Sequence, residues 1–183
     1  MNLKNIVVIT SNKHKVAEIN QILGTNYKVS KIDIPEIQSL NLDEVIEAKA
    51  RTAYEIVKKP VLVTDVSLEI KALNGLPGPF VKYFVQTIGA GGTANLIKNK
   101  SKKAKVTDAL GLYDGKVLRI FKGTLEGTIS DSPKGDSGFG FDVVFIPKGQ
   151  KKTYAQMSET EKNEISHRSI ALEKLKAYLN SMQ

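Results

Sequence analysis

The side chains best suited to chemistry lie between residues 138 and 168, where GFGFDVVFIP, TYAQM and EKNEISHR follow one another. Phe139 and Phe141 flank Gly140 and offer flat apolar faces, and Asp142 comes next. Lys162, His167 and Arg168 supply donors able to read an oxygen on a stacked base. Together these groups suit a purine joined to phosphates. The competing reading is a glycine-bounded core strand followed by a solvated helix. A second group stands near the N-terminus, where Thr10-Ser11-Asn12 closes an apolar strand and Val16, Ile19 and Leu23 then recur at helical spacing. Such a junction aims backbone N–H groups and the positive end of a helix at whatever lies above the strand, and Lys13 and Lys15 add charge there. Phosphate suits that place, and the plainer reading is a helix capped by Ser11 or Asn12. A third candidate is Asp65, a carboxylate ending the apolar run Val61-Leu62-Val63-Thr64, since ligands gather at the C-terminal ends of strands in α/β sheets.

Strand and helix must alternate early in the chain to position these groups. The pattern predicts a first strand over Ile6 to Ile9 within MNLKNIVVIT, and an edge strand over Lys31 to Glu36 stopped at Pro35. A helix is predicted from Leu42 to Val57, with Val45, Ala48 or Lys49, Thr52 and Ile56 marking its turns. Asn74 to Pro79 reads as a turn launching a helix with Pro79 at its first position and Phe80, Phe84 and Ile88 inward. Val106 to Tyr113 and Val117 to Lys122 form a hairpin about Asp114-Gly115, with a third strand over Thr124 to Ile129. The turn-rich loop from Ser130 to Gly138 leads to a strand over Phe141 to Ile146. Ser158 to Glu161 fits a capping box, and Ser166 caps a final helix with the core stripe Leu172, Leu175 and Leu179. His167 and Arg168 then fall in the first turn of that helix. No repeat or linker divides the chain, so residues 1–183 read as a single α/β domain.

Composition narrows the function classes. With no cysteine, disulfides, thiolate nucleophiles and cysteine-bound zinc are excluded. His14 and His167 are the only histidines, so a metal here would be a hard cation on carboxylates. The net charge of +8 invites a nucleic-acid reading, but only Arg51, Arg119 and Arg168 are arginine, the side chain whose fork reads guanine edges. The densest basic run, Lys98 to Lys105, has no interleaved aromatic for base stacking. It reads as an exposed loop or helix end, so no nucleic-acid partner is expected. No apolar run approaches a membrane span, the N-terminus does not read as a signal peptide, and a cytoplasmic protein is expected.

Taken in order, Thr10-Ser11-Asn12 with Lys15, Pro35-Glu36-Ile37-Gln38, Asp65, Gly75-Leu76-Pro77-Gly78, Phe139-Gly140-Phe141-Asp142, Thr153 to Met157 and Ser166-His167-Arg168 resemble the inosine triphosphate pyrophosphatase (Ham1-like) family. The match runs over almost the whole chain, and GLPGP followed by VKYF is most similar to the eukaryotic and archaeal branch. The resemblance implies Mg²⁺-dependent hydrolysis of ITP, dITP and XTP to the monophosphate and pyrophosphate by a homodimer. It implies an elongated mixed β-sheet flanked by helices, with two lobes around a nucleotide cleft. By position it implies that Lys15 and Lys49 hold phosphate, Glu18 supports the metal or its water, and Glu36 and Asp65 bind Mg²⁺, Asp65 also accepting the proton of the attacking water. Phe139 would stack on the base, and Asp142, Lys162, His167 and Arg168 would read its edge. The chain departs from the family pattern at Thr64, where the first of two adjacent acids is usual, at Val66-Ser67, and at Val143, where proline is usual. Loss of the first acid predicts more reliance on Glu36 and Glu18 for the metal. A Maf-type nucleotide pyrophosphatase shares the outline but not the SHR segment, and a basic nucleic-acid-binding module is the rival outside the enzymes.

Overall fold

The computed structural model describes residues 6–24 and 27–182, so residues 1–5 of the N-terminal stretch lie outside the described residues. In chain order the elements are β1 (Val7–Ile9), α1 (Lys13–Leu23), β2 (Lys28–Ser30), α2 (Leu42–Val57), β3 (Val61–Ile70) and β4 (Pro77–Gly78). Then come α3 (Val81–Thr87), α4 (Gly89–Leu96), β5 (Lys103–Tyr113), β6 (Leu118–Ile129), β7 (Phe145–Pro147), α5 (Glu159–Ile165) and α6 (His167–Asn180). The strands make one seven-stranded sheet in the order β2-β1-β3-β5-β6-β7, with β4 paired to β3 off that path. It is mixed: β1 runs parallel to β2 and β3, whereas β4 is antiparallel to β3 and β7 to β6. The expected α/β fold with a mixed sheet is borne out. Among the described residues no helix is long and apolar enough to cross a membrane.

The chain forms two compact units. The first comprises Met1–Asp65, Asp108–Gly123 and Arg168–Gln183. Successive side chains of its strands enter two different cores, so both faces are buried and the strands read as continuous apolar runs. Leu62, Leu110 and Leu112 pack with Ile19 and Leu23 of α1 and with Leu172, Leu175 and Leu179 of α6. Val61, Val63 and Ala109 pack with Leu42, Ile46, Ala50 and Ala53 of α2. That α2 forms as predicted follows from its ends as well as its stripe. The Asn41 side chain accepts from the Asp43 N–H, Asp43 and Glu44 complement the dipole in the first turn, and Lys58 closes the helix in the left-handed conformation at φ 52°. The buried stripe is Leu42, Val45, Ile46, Ala50 and Ala53, so the expected positions Ala48, Thr52 and Ile56 are corrected, Ile56 being 53% exposed.

The second unit comprises Val66–Thr107 and Thr124–His167. Its core joins Leu68 and Ile70 of β3 and Val106 of β5 to Val81 of α3, Ala90 and Ala94 of α4, and Phe141, Phe145 and Tyr154.

Other boundaries also differ from expectation. The edge pairing is carried by Lys28–Ser30, and residues 31–39 have no regular structure, since Pro35 cannot donate to a ladder. The expected third strand over Thr124 to Ile129 is the continuation of β6. The turn before it has four residues, with Asp114 Oδ1 accepting from Lys116 N at 2.9 Å and Val117 N at 2.8 Å. Pro79 precedes α3, whose cap is Phe80, and the inward residue is Val81 while Ile88 is 45% exposed.

Candidate active site

The strand-turn-helix junction places its side chains largely in service of the backbone. Asn12 is the N-cap of α1, its Oδ1 accepting from His14 N at 3.0 Å and Lys15 N at 3.3 Å, and Thr10 Oγ1 accepts from Asn12 N at 3.1 Å. Ser11 and Lys13 are exposed. The cap orients the first turn of α1 so that Lys15 and Glu18, one turn apart, are both half-buried.

Two charged clusters assemble on opposite faces of β3. On the α2 face, Lys49 Nζ donates to Glu36 Oε1 at 2.6 Å and to Asp65 Oδ2 at 2.9 Å. Burial works to lower the Lys49 pKa, but Asp65 and then Glu36 outweigh it and hold the ammonium above the usual lysine range. On the α1 and α6 face, Arg168 Nη1 donates to Glu18 Oε2, and Arg168 Nε stands 3.3 Å from Asp108 Oδ2. Asp108 Oδ1 accepts from Thr64 Oγ1 at 2.9 Å. Lys15 feels both clusters. Burial lowers its pKa, Asp65 and Asp108 resist, and Arg168 and Lys49 add to the lowering. Strand alternation therefore turns Thr64 away from the Glu36 and Asp65 carboxylates, and the expectation that Thr64 thins the metal cluster is corrected. An acid at position 64 would meet Asp108.

The donor set on the α2 face fits a hard divalent cation. Two carboxylates from separate segments converge on one positive charge, with Asp65 and Glu36 side chains 16% and 31% exposed. Among the described residues no three His, Asp or Glu side chains form a metal-binding group. Mg²⁺ ordinarily takes only one or two carboxylates and completes its shell with water and phosphate oxygens.

The second unit brings the aromatic group together. The expected strand over Phe141 to Ile146 is corrected: residues 140–144 form a turn closed by Val144 N to Phe141 O at 3.0 Å and Phe145 N to Phe141 O at 3.1 Å. The turn directs the Asp142 carboxylate, which is 2% exposed, back onto Phe139 N at 2.9 Å, and Lys162 Nζ donates to the same Oδ2 at 2.8 Å. A methyl at Gly138, where φ is +76°, would collide with that oxygen. Lys162 Nζ also stands 5.0 Å from the Phe139 ring centroid, a cation–π contact. Phe139 is half-buried, whereas Phe141 belongs to the core, edge-on to Phe145 at 6.2 Å. Tyr154 OH lies 3.3 Å from His167 Nδ1, and both residues are buried. Ala155 N donates to Asp142 O at 3.1 Å, and Ser137 Oγ to Ala155 O at 2.6 Å, tying the 137–142 loop onto the TYAQM segment. Gly140 is exposed.

Sequence reasoning missed Asp108, which sits inside an apolar strand read only for its hairpin. Its signal was a lone acid on the inward phase of that strand. Arg168 and Glu18 were noticed separately, but nothing in their spacing announced that they pair.

The first unit thus carries a lysine–carboxylate cluster on β3, and the second a buried Lys162–Asp142 pair beside the Phe139 ring, groups whose chemistry suits phosphate and an aromatic base respectively. The chain belongs to the Ham1 family, whose model matches residues 6–178, so the resemblance read from the motifs is borne out. It is similar to the inosine triphosphate pyrophosphatase of Schizosaccharomyces pombe, at 41% identity over 98% of this chain and 97% of that protein. It is similar also to the dITP/XTP pyrophosphatase of Hyperthermus butylicus, at 39% identity over 98% of this chain and 96% of that protein. Among solved structures, a HAM1 protein from Coxiella burnetii superposes with a TM-score of 0.84 at 28% identity, covering 96% of this chain and 98% of that one.

Proposed function

We propose that this protein is a nucleoside-triphosphate pyrophosphatase that hydrolyses ITP, dITP and XTP to the monophosphate and pyrophosphate. The observation that carries the reading is the convergence of Glu36, Lys49 and Asp65, with a half-buried Lys15 whose charge Asp65 and Lys49 influence, in a chain that also builds the Phe139, Asp142, Lys162 and His167 group. Splitting a phosphoanhydride requires charge neutralisation and positioning more than a covalent nucleophile.

Glu36 and Asp65 would hold Mg²⁺, which when bound supplies neutralisation of the phosphate charge. Lys49, now between the two carboxylates, would turn to phosphate, and Lys15 would hold phosphate at the first turn of α1. The Asp65 carboxylate would accept the proton of the attacking water. Phe139 would stack on the base, its backbone fixed by Asp142. Lys162 and His167 would read the base edge together with Arg168, whose guanidinium donates to Glu18. A homodimer is the expected assembly, and the cytoplasm, where nucleotide pools lie, is the expected compartment.

Product analysis tests the reaction. ITP with Mg²⁺ should yield IMP and pyrophosphate in equal amounts, and formation of IDP with orthophosphate would overturn it.

A further inference from the structure

Asp108 has no place in the roles assigned so far, yet its surroundings are costly to build. It is 0% exposed, and burial pushes its carboxyl above the usual range against the pull of Arg168, Lys15 and the Thr64 hydroxyl. Thr64, 3% exposed, donates to Oδ1, while Oδ2 faces Arg168 Nε at 3.3 Å without accepting a hydrogen bond. That second contact is therefore electrostatic. A neutral side chain of similar size would fill the same space in β5 without the desolvation penalty of a buried carboxylate. The charge answers a specific problem in this face of the sheet. Lys15 from α1 and Arg168 from α6 are two cations whose charges oppose each other, and Arg168 also donates to Glu18. Asp108 acts on both.

We infer that Asp108 is a positioning residue for the reaction, its carboxylate holding Lys15 and Arg168 in place for the nucleotide, with Thr64 as its matched hydroxyl donor. The inference rests on the reading of Lys15 and Arg168 as nucleotide ligands. The pairing is also directional. Thr64 and Asp108 face each other from neighbouring strands at hydrogen-bond distance, so the carboxylate and hydroxyl are exchangeable across that contact, whereas two acids there would repel in a buried setting.

The test compares the parent with Asp108→Asn, Asp108→Thr and the exchange Thr64→Asp/Asp108→Thr. Three quantities are read: KM and kcat for ITP, the Kd of inorganic tripolyphosphate by calorimetry, and Tm. Asp108→Asn and Asp108→Thr should each raise both KM and Kd about tenfold, the scale of one lost charge-assisted interaction, with a smaller fall in kcat. The exchange should bring KM and Kd back to within about threefold of the parent, although it repairs no single residue. Parental KM and Kd in both single variants, whatever their Tm, would overturn the inference and leave Asp108 a structural ion-pair partner. If the single variants do not fold, the exchange decides: parental KM and Kd support the inference, and a tenfold rise at parental Tm overturns it. A parent that binds tripolyphosphate but does not turn over ITP defeats the functional reading alone, because Kd still reports on Asp108.

Discussion

At the scale of single residues, the groups that make the reaction go differ from the groups that hold them. Asp65→Asn keeps the shape of the side chain but loses the negative charge and the proton acceptor. Turnover should fall at least about 10²-fold, the low end for general-base catalysis, while nucleotide binding persists. Parental turnover at saturating Mg²⁺ would remove Asp65 from the mechanism. Lys15 gives a pH prediction whose sign is fixed by its surroundings. Burial lowers its pKa despite Asp65 and Asp108, so the free enzyme loses this ammonium at a lower pH than an ordinary lysine would. Since the charged form binds phosphate, kcat/KM for ITP should decline as pH rises through that lowered value. Lys15→Arg stays charged across the range, so its alkaline limb should disappear, and an unchanged limb would show that another group titrates. Most of these residue types were legible in the sequence because chemistry restricts them to few kinds. Asp108 was not, because a single acid in β5 has no local partner and gains its meaning only from Thr64, Lys15 and Arg168, three other segments of the chain.

At the scale of elements, the loop from Ser137 to Asp142 carries the base-reading proposal. It is held by backbone geometry that only glycine adopts freely. At Gly138 a positive φ and the proximity of Asp142 Oδ2 both oppose a side chain. Gly138→Ala should therefore cost on the order of 1–3 kcal/mol of stability and raise KM for ITP more than it lowers kcat. Denaturant titration with steady-state kinetics reads both effects, and a variant with parental stability and KM would show that the loop tolerates a different turn. The same loop shows why the strand expected over Phe141 to Ile146 fails. An apolar run of that length fits strand or turn equally by periodicity, and the left-handed Gly138 and Gly140 decide for the turn. By contrast the bounds of α2, Leu42–Val57, were readable from its apolar period, although the stripe was set on Thr52 and Ile56 where the buried residues are Ala50 and Ala53. Helix α4 was invisible: Gly89, Gly91 and Gly92 argue against a helix locally. Tertiary packing overrides that preference, since a methyl at Gly91 would stand 3.2 Å from Pro133 Cγ and one at Gly92 2.9 Å from Ile88 Cβ.

At the scale of the whole molecule, the charge of +8 is spread so as to weaken the nucleic-acid reading. Lys105, Lys122 and Lys148 are paired with Glu69, Asp43 and Glu126 at 2.9, 2.6 and 2.7 Å, so these lysines are interspersed with acids instead of forming a bare basic stripe for a polyanion. What the proposal requires instead is discrimination among small nucleotides. Hypoxanthine presents an acceptor oxygen where adenine presents an amino donor. Against Lys162, His167 and Arg168 the adenine would leave donors facing a donor, each unmet buried group costing about 1–3 kcal/mol. The most direct measurement is kcat/KM for pyrophosphate release from ITP and from ATP on the same preparation with Mg²⁺. ITP should exceed ATP by at least about 10²-fold, the result of two such mismatches. Equal efficiency on the two nucleotides, or no Mg²⁺-dependent pyrophosphate from either, would contradict it.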